Sequence, residues 1–266
     1  MPEIRGTADG RDTAALAAKV VHQLRLALLA TGQGPRVYLV TSPGAGDGRS
    51  SLAAALGMSF AAAGTKTLII DFDASENSLS HRLHAQGGSL KEALASGEVA
   101  GYFQSTRHGL ALLGLGANQS LETCHLSPAA AGRLLDSARR QFEVVLLDAG
   151  ALLGDVAPSI LAHFADAAVL VLRQNQECEL VERCAEKLRA LEVARAAAVF
   201  NRAGRADVQR IFGTVRPLAN QSPESLPPPS CLGPLVDAVL RSLHLTRADD
   251  MLLRCPDEVI AAVAAA

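Results

Sequence analysis

The sequence predicts an α/β protein in which helices cover both faces of a mostly parallel central sheet. Short runs that are apolar throughout, such as "RVYLVTS" and "VVLLD", recur along the chain, as is typical of strands buried on both faces. Stretches with helical periodicity separate these runs, and this alternation favours parallel pairing. With 266 residues, 49% of them hydrophobic, the chain is long enough for one large domain with an appendage, or for two small domains.

The N-terminal residues 1–34 are predicted to form a helical element, which is also a candidate for oligomerisation. Asp12 is placed to cap a helix that runs to about Ala30. Its apolar stripe repeats every four residues and consists of Leu16, Val20, Leu24 and Leu28.

Residues 35–221 are predicted to form the main domain. The expected strands lie at 36–42, 66–73, 108–116, 142–150, 166–173 and 194–202, with a shorter one at 213–219, and the expected helices at 50–63, 128–140 and 178–191. A proline-rich linker is predicted at 222–234 and a small helical tail at 235–266.

The composition limits the possible functions and the location. The formal net charge of −2 and the 3% aromatic content argue against a nucleic-acid-binding surface. Five cysteines without a CxxC pair indicate reduced thiols in a cytoplasmic protein. The polar N-terminal residues show no signal-peptide pattern, and no apolar run reaches the length of a membrane span. We therefore expect attachment to the inner membrane only through a partner.

The stretch "VTSPGAGDGRSS" lies between the first predicted strand and a predicted helix, which is the setting of a phosphate-binding loop. Glycines let backbone N–H groups close around phosphate oxygens, and the helix N-terminus adds partial positive charge. A glycine-rich turn without a ligand is the alternative. The predicted phosphate-binding residues are Gly44, Gly46, Asp47, Gly48, Arg49, Ser50 and Ser51.

Arg49 stands where a phosphate loop usually has lysine. It keeps the positive charge, but it is larger and planar, and it does not replace a compact ammonium group at a transferring phosphoryl group. We therefore expect ATP or ADP to bind and turnover to be weak.

Three carboxylates follow apolar strands in the sequence. Asp71 and Asp73 end "LIIDFD", and Asp148 ends "VVLLD". The carboxyl ends of parallel strands face the ligand crevice, where such groups can hold Mg²⁺ or accept a proton. A single aspartate at a strand end is commonly a turn former, but two such strands beside a phosphate loop favour function.

Four segments, "TSPGAGDGRSS", "TLIIDFDA", "FEVVLLDAG" and "AVFNR", resemble in order and spacing the bacterial tyrosine kinases of capsule and exopolysaccharide synthesis. That family belongs to the P-loop ATPases, which include the partition and division-site ATPases. The similarity covers about Asp12 to Leu218 and implies a P-loop NTPase fold.

The resemblance also implies roles for individual residues and a set of partners. Ser50, Asp71 and Asp148 would hold Mg²⁺, and Arg49 with Asp71 and Asp73 would form the catalytic set. Asn201 and Arg202 would border the adenine. The expected partner is a transmembrane co-polymerase or chain-length subunit. Self-assembly would involve Lys19, His22 and Arg25 of the N-terminal helix, although Lys19 and His22 depart from the family's pattern.

Other departures lie at the catalytic end of the resemblance. The C-terminal tail has no tyrosine, because the two tyrosines of the chain are Tyr38 and Tyr102. Ser75 replaces a usual arginine, and Ala149-Gly150-Ala151 replaces Thr-Pro-Pro. We interpret the chain as a weakly active or inactive kinase-like partner of a polysaccharide export complex. An active tyrosine kinase and a partition-type ATPase are the alternatives.

Overall fold

The computed structural model of the chain describes most of the residues up to 201. The described ranges are 36–73, 89–105, 110–115, 126–173, 176–193 and 195–201, together with 21–22, 24–26, 28–29, 34, 79, 250–252 and 262–264. Lys19, Ser75, Arg202, the strand predicted at 213–219 and the linker at 222–234 lie outside these residues.

A seven-stranded sheet forms the centre of the fold, as the sequence predicts. Its order is β3-β4-β2-β5-β1-β6-β7, and every neighbouring pair is parallel except β3 with β4. The strands are β1 (Arg36–Ser42), β2 (Thr67–Asp71), β3 (Gln104–Ser105), β4 (Ala111–Leu113), β5 (Val144–Ala151), β6 (Ala167–Arg173) and β7 (Ala196–Asn201).

Helices cover both faces of the sheet because its strands alternate buried side chains between two cores. Val37 and Leu39 of β1 face one core, whereas Tyr38 and Val40 face the other. The first core is closed by α2 (Leu90–Ser96), α3 (Pro128–Gln141), α4 (Ala157–Ala162) and α5 (Cys178–Ala190). The second core is closed by α1 (Arg49–Ala62) and the N-terminal helix.

The described residues of the N-terminal helix, between 21 and 29, confirm the predicted apolar stripe there. Leu24 and Leu28 are buried in the second core. The Tyr38 hydroxyl donates a hydrogen bond to the Leu28 carbonyl at 2.9 Å, and its ring stacks on Phe60 with centroids 6.2 Å apart. Apolar packing and one buried hydrogen bond therefore attach this helix to the sheet.

Three elements of the main domain were not predicted from the sequence. These are the helices α2 and α4 and the short antiparallel strand β3. In the stretch predicted to be a helical tail, residues Asp250–Leu252 (β8) and Ala262–Ala264 (β9) form an antiparallel pair of strands. The helical prediction is wrong for these six residues, since their backbone groups bond between distant segments and apolar periodicity does not reveal such pairing.

The described part of the chain has no helix that is both long enough and apolar enough to cross a membrane.

Candidate functional site

The loop between β1 and α1, which the sequence predicts to bind phosphate, turns at two glycines. Gly46 and Gly48 adopt φ of 79° and 98°, a left-handed region that side chains rarely occupy. Gly48 is the N-cap of α1, and no side chain caps the N–H groups of this 14-residue helix. These N–H groups, together with the helix dipole, favour an anion at this position.

Asp47 stabilises the loop from inside. Its side chain is buried, and it accepts a hydrogen bond from the Gly44 N–H at 3.0 Å. The Arg173 guanidinium at the end of β6 pairs with its other carboxylate oxygen at 3.3 Å. Asp47 therefore contributes a carboxylate that supports the loop, and Arg173 is a supporting residue that sequence reasoning missed.

Asn201, predicted to border the adenine, contacts the phosphate loop. Its side-chain amide donates to the Asp47 carbonyl at 2.9 Å. A Cβ added to Gly48 would lie 1.9 Å from the Asn201 Nδ2, so the close packing requires glycine. Arg202, the second predicted adenine neighbour, is outside the described residues.

Arg49 extends from the first turn of α1 toward the ends of β2 and β5. Its Nε donates to Asp148 Oδ1 at 3.2 Å, and its Nη2 donates to Asp73 Oδ2 at 2.5 Å. Its Nη1 lies 3.0 Å from the Ser42 hydroxyl and 3.4 Å from the Gly44 carbonyl. The side chain is buried, so these contacts are made away from solvent.

The three predicted carboxylates are brought together at the ends of two neighbouring strands. Asp71 of β2 pairs in register with Asp148 of β5, and both are fully buried. The Asp73 N–H donates to Asp71 Oδ1 at 3.0 Å. The Arg49 guanidinium bonds to two of these three clustered carboxylates, Asp73 and Asp148, so the cluster holds more negative than positive groups.

Burial makes the carboxyl group of Asp148 a weaker acid than usual. It raises the pKa of this carboxyl from 3.8 to about 7, and the charge of Asp71 acts in the same direction. A hydrogen bond from the Ser50 side chain and the charge of Arg49 act against this rise. Asp148 Oδ2 is buried and has no hydrogen-bond partner among the described residues.

The predicted Mg²⁺ ligands, Ser50, Asp71 and Asp148, offer the oxygen atoms that Mg²⁺ prefers. However, no three acidic, histidine or cysteine side chains among the described residues are placed to hold a metal ion. As placed, one carboxylate oxygen of Asp148 and one of Asp73 are bonded to the Arg49 guanidinium.

The segment after Asp148, which replaces the Thr-Pro-Pro of the resembled family, is fixed by two hydrogen bonds. The Thr41 hydroxyl donates to the Gly150 carbonyl at 2.9 Å, and the Ala151 N–H donates to Asp155 Oδ2 at 2.6 Å. Gly150 has φ of 83°. Thr41 and Asp155 were not singled out from the sequence, because their contacts are made by the tertiary fold.

The two tyrosines differ in their surroundings. Tyr38 is fully buried between the sheet and two helices, so its hydroxyl is out of reach of a kinase in the folded chain. Tyr102 is partly buried and packs against the first core.

The proposed oligomerisation residues are only partly described. His22 is exposed, whereas Arg25 is 7% exposed, and the Arg25 Nη2 lies 3.0 Å from the His22 Nδ1. Arg25 therefore makes much of its contact within its own chain, and Lys19 is outside the described residues.

Sequence comparison finds no matching protein-family profile and no matching curated protein. Comparison with solved structures does find similar folds. The kinase domain of Escherichia coli tyrosine kinase ETK is similar with a TM-score of 0.62 and 18% identity, over 70% of this chain and 75% of that one. The VpsO kinase domain and the BceF tyrosine kinase domain are also similar.

Solved structures of other kinds of protein also match. A ParA family ATPase from Chlorobium tepidum is similar with a TM-score of 0.54 and 16% identity, over 80% of this chain and 81% of that one. Cobyrinic acid a,c-diamide synthase from Mycobacterium smegmatis, solved with ADP and magnesium, has a TM-score of 0.52 and 18% identity, over 64% and 76%. These likenesses confirm the predicted P-loop ATPase fold.

Proposed function

We propose that the chain binds ATP or ADP at the loop between β1 and α1 and transfers phosphoryl groups slowly or not at all. The single observation that carries this proposal is that two structural features lie next to each other. An uncapped helix N-terminus with left-handed Gly46 and Gly48 adjoins a buried cluster of Arg49 with three aspartates. The N–H groups at the start of α1 can bind phosphate oxygens. The cluster of charged side chains lies beside the position that the bound phosphates would take.

Slow turnover follows from the contacts that the reactive groups already make. Phosphoryl transfer depends on a positive group that follows the transferring phosphoryl and on a group that positions the nucleophile. Arg49 supplies the positive charge, but it is bonded to Asp148 and Asp73. Asp73, a predicted proton acceptor, is already engaged by the Arg49 guanidinium.

We place this activity beside a polysaccharide export complex, with a transmembrane co-polymerase or chain-length subunit as partner and the chain on the cytoplasmic side of the membrane. Homo-oligomers formed through the N-terminal helix are part of the same proposal. Support comes from the motif resemblance and from the similarity of fold to the ETK kinase domain.

An active tyrosine kinase is the second candidate, and the same likeness to ETK favours it. The substrate would have to be a partner's tyrosine or the partly buried Tyr102, since Tyr38 is enclosed. A partition-type ATPase has the support of the ParA likeness, but the net charge of −2 offers little attraction for DNA.

Calorimetric titration with ATP, followed by a phosphotyrosine assay on the same sample, separates these candidates. We expect saturable binding to one site per chain and no phosphotyrosine. Gly48→Ala is the matched control, because it distorts the loop and leaves every charge in place. Absence of binding at about 1 mM ATP, the upper end of usual substrate requirements, would contradict the proposal. Strong phosphotyrosine would establish the kinase instead.

A further inference from the structure

We infer that the Arg49 guanidinium takes the position of the divalent cation, so that the loop binds its nucleotide in the metal-free form. This inference rests on the proposed function, because it concerns the same site. It follows from where the positive charge already lies.

The first argument is the geometry of Arg49. Its Nε and Nη2 donate to carboxylate oxygens of two different aspartates, Asp148 and Asp73, and its Nη1 donates to the Ser42 hydroxyl and the Gly44 carbonyl. One side chain thus joins the ends of two strands to the phosphate loop. Bridging several acceptors is what the planar, five-donor guanidinium does, whereas a lysine ammonium acts as a point charge.

The second argument is competition for the same oxygens. A magnesium ion at the strand ends would need near-octahedral oxygen coordination. Asp148 Oδ1 and Asp73 Oδ2 are bonded to Arg49, and Asp71 Oδ1 accepts the Asp73 N–H. Asp148 Oδ2 has no partner among the described residues. A metal ion that used Asp148 Oδ1 or Asp73 Oδ2 would have to displace Arg49 from a buried ion pair, which is strongly unfavourable.

The third argument is that phosphate can still be bound. The Nη2 of Arg49 carries two N–H donors, and one of them bonds to Asp73. The uncapped amides of α1 and the loop glycines supply further donors. Guanidinium, helix dipole and amides together are a recognised means of binding phosphate without a metal. Arginine also stays charged at every working pH.

The test compares nucleotide affinity with and without metal in the wild-type protein. ADP is titrated calorimetrically in excess Mg²⁺ and again in excess EDTA. For the wild type we expect the two dissociation constants to agree within about twofold. For Arg49→Lys we expect the affinity for ADP to be about tenfold or more weaker in EDTA than in Mg²⁺. The reason is that an ammonium group leaves the carboxylates free for metal, so nucleotide binding by this variant depends on the metal. Wild-type affinity that falls about tenfold in EDTA would overturn the inference.

A second arm uses Mn²⁺ alone, followed by electron paramagnetic resonance without nucleotide. We expect no tight Mn²⁺ in the wild type, a new site in Arg49→Ala, and loss of that site in Arg49→Ala with Asp148→Asn. Mn²⁺ bound tightly by the wild type would overturn the inference. If ADP binds under neither condition, the proposed function fails. The wild-type Mn²⁺ result then decides the role of Arg49 and depends on no variant folding.

Discussion

The two ends of the sheet carry buried or half-buried ion pairs of different kinds. At the amino end, Asp166 precedes β6 and pairs one-to-one with Arg139 at 3.3 Å, with both side chains about one-third exposed. Asp166 also accepts the Val37 N–H at 2.7 Å. At the carboxyl end, the guanidinium of Arg49 pairs with both Asp73 and Asp148, and the buried Asp71 lies beside them.

The difference between the two ends indicates a structural role for the amino end and a functional role for the carboxyl end. A balanced, partly exposed pair satisfies a backbone group and adds little free energy. A buried cluster with excess charge of one sign lowers the stability of the chain, and strongly perturbed carboxylates are typical of functional sites. The carboxyl end, where Asp148 has a raised pKa, is therefore the candidate for ligand binding.

Among changes that test the difference between the two ends, we expect Arg49→Ala to have the largest effect on the free energy of unfolding. Removing the guanidinium leaves Asp73 and Asp148 without their buried partner, so the free energy of unfolding at pH 8 should fall by about 3–5 kcal/mol. Urea denaturation measures this loss. Arg139→Ala at the amino end is the matched control and should cost about 1 kcal/mol or less. Equal losses in the two variants would show that the ends do not differ.

The pH dependence of stability should come next in size. The pKa of Asp148 is about 7 in the folded chain against 3.8 as its ordinary value. Between these values the folded state binds more protons than the unfolded one, so stability falls as pH rises. The expected loss is up to about 4 kcal/mol. The groups facing Asp148 are Asp71, Asp73, Ser50 and Arg49.

Asp148→Asn should remove this contribution, because an amide does not titrate. Thermal unfolding of the wild type and the variant from pH 4 to pH 8 measures the difference. The stability of the wild type should fall relative to that of the variant across this range. A constant difference between the two proteins would contradict the raised pKa.

A smaller effect is expected from Gly48→Ala in the phosphate loop. The left-handed φ of 98° costs alanine about 1–2 kcal/mol. The new Cβ would also displace Asn201 and break its bond to Asp47, for about 1 kcal/mol more. Gly46→Ala is the control, since its φ is 79° and nothing lies within 4 Å of the new Cβ. Equal costs, measured by urea denaturation, would exclude a role for Asn201.

The smallest effect concerns the pair at the amino end. A double-mutant cycle of Arg139→Ala and Asp166→Asn should give a coupling energy of about 0.2–1 kcal/mol, as exposed pairs do. The cycle leaves out the Val37 bond to Asp166, since Arg139→Ala does not touch it. A coupling energy well above this range would show that the ion pair at the amino end stabilises the chain as much as the pairs at the carboxyl end.

Most strands of the sheet could be predicted, because a strand that is buried on both faces is apolar throughout. The short helices could not be predicted from periodicity, since α2 and α4 have two turns or fewer. For α2 a signal was present: Ser89 accepts the Glu92 N–H and Gly97 ends the helix with a left-handed φ. That Ser-x-x-Glu pattern before glycine is a capping signature.

The candidate site was predictable in its residues and not in its contacts. Strand ends and a glycine-rich loop are local patterns, so Arg49, Asp71, Asp73 and Asp148 could be chosen from the sequence. The direction of the Arg49 side chain depends on strands about 24 and 99 residues away along the chain. Support from Arg173 to the loop is equally non-local.

The most direct test of the central claim is calorimetric titration of the wild-type chain with ATP, paired with an assay of phosphate release. The account predicts saturable binding to one site and release that is slow compared with about 1 s⁻¹, the low end of usual turnover. Arg49→Lys should release phosphate faster. No binding at about 1 mM ATP, or wild-type release as fast as that of Arg49→Lys, would contradict the account.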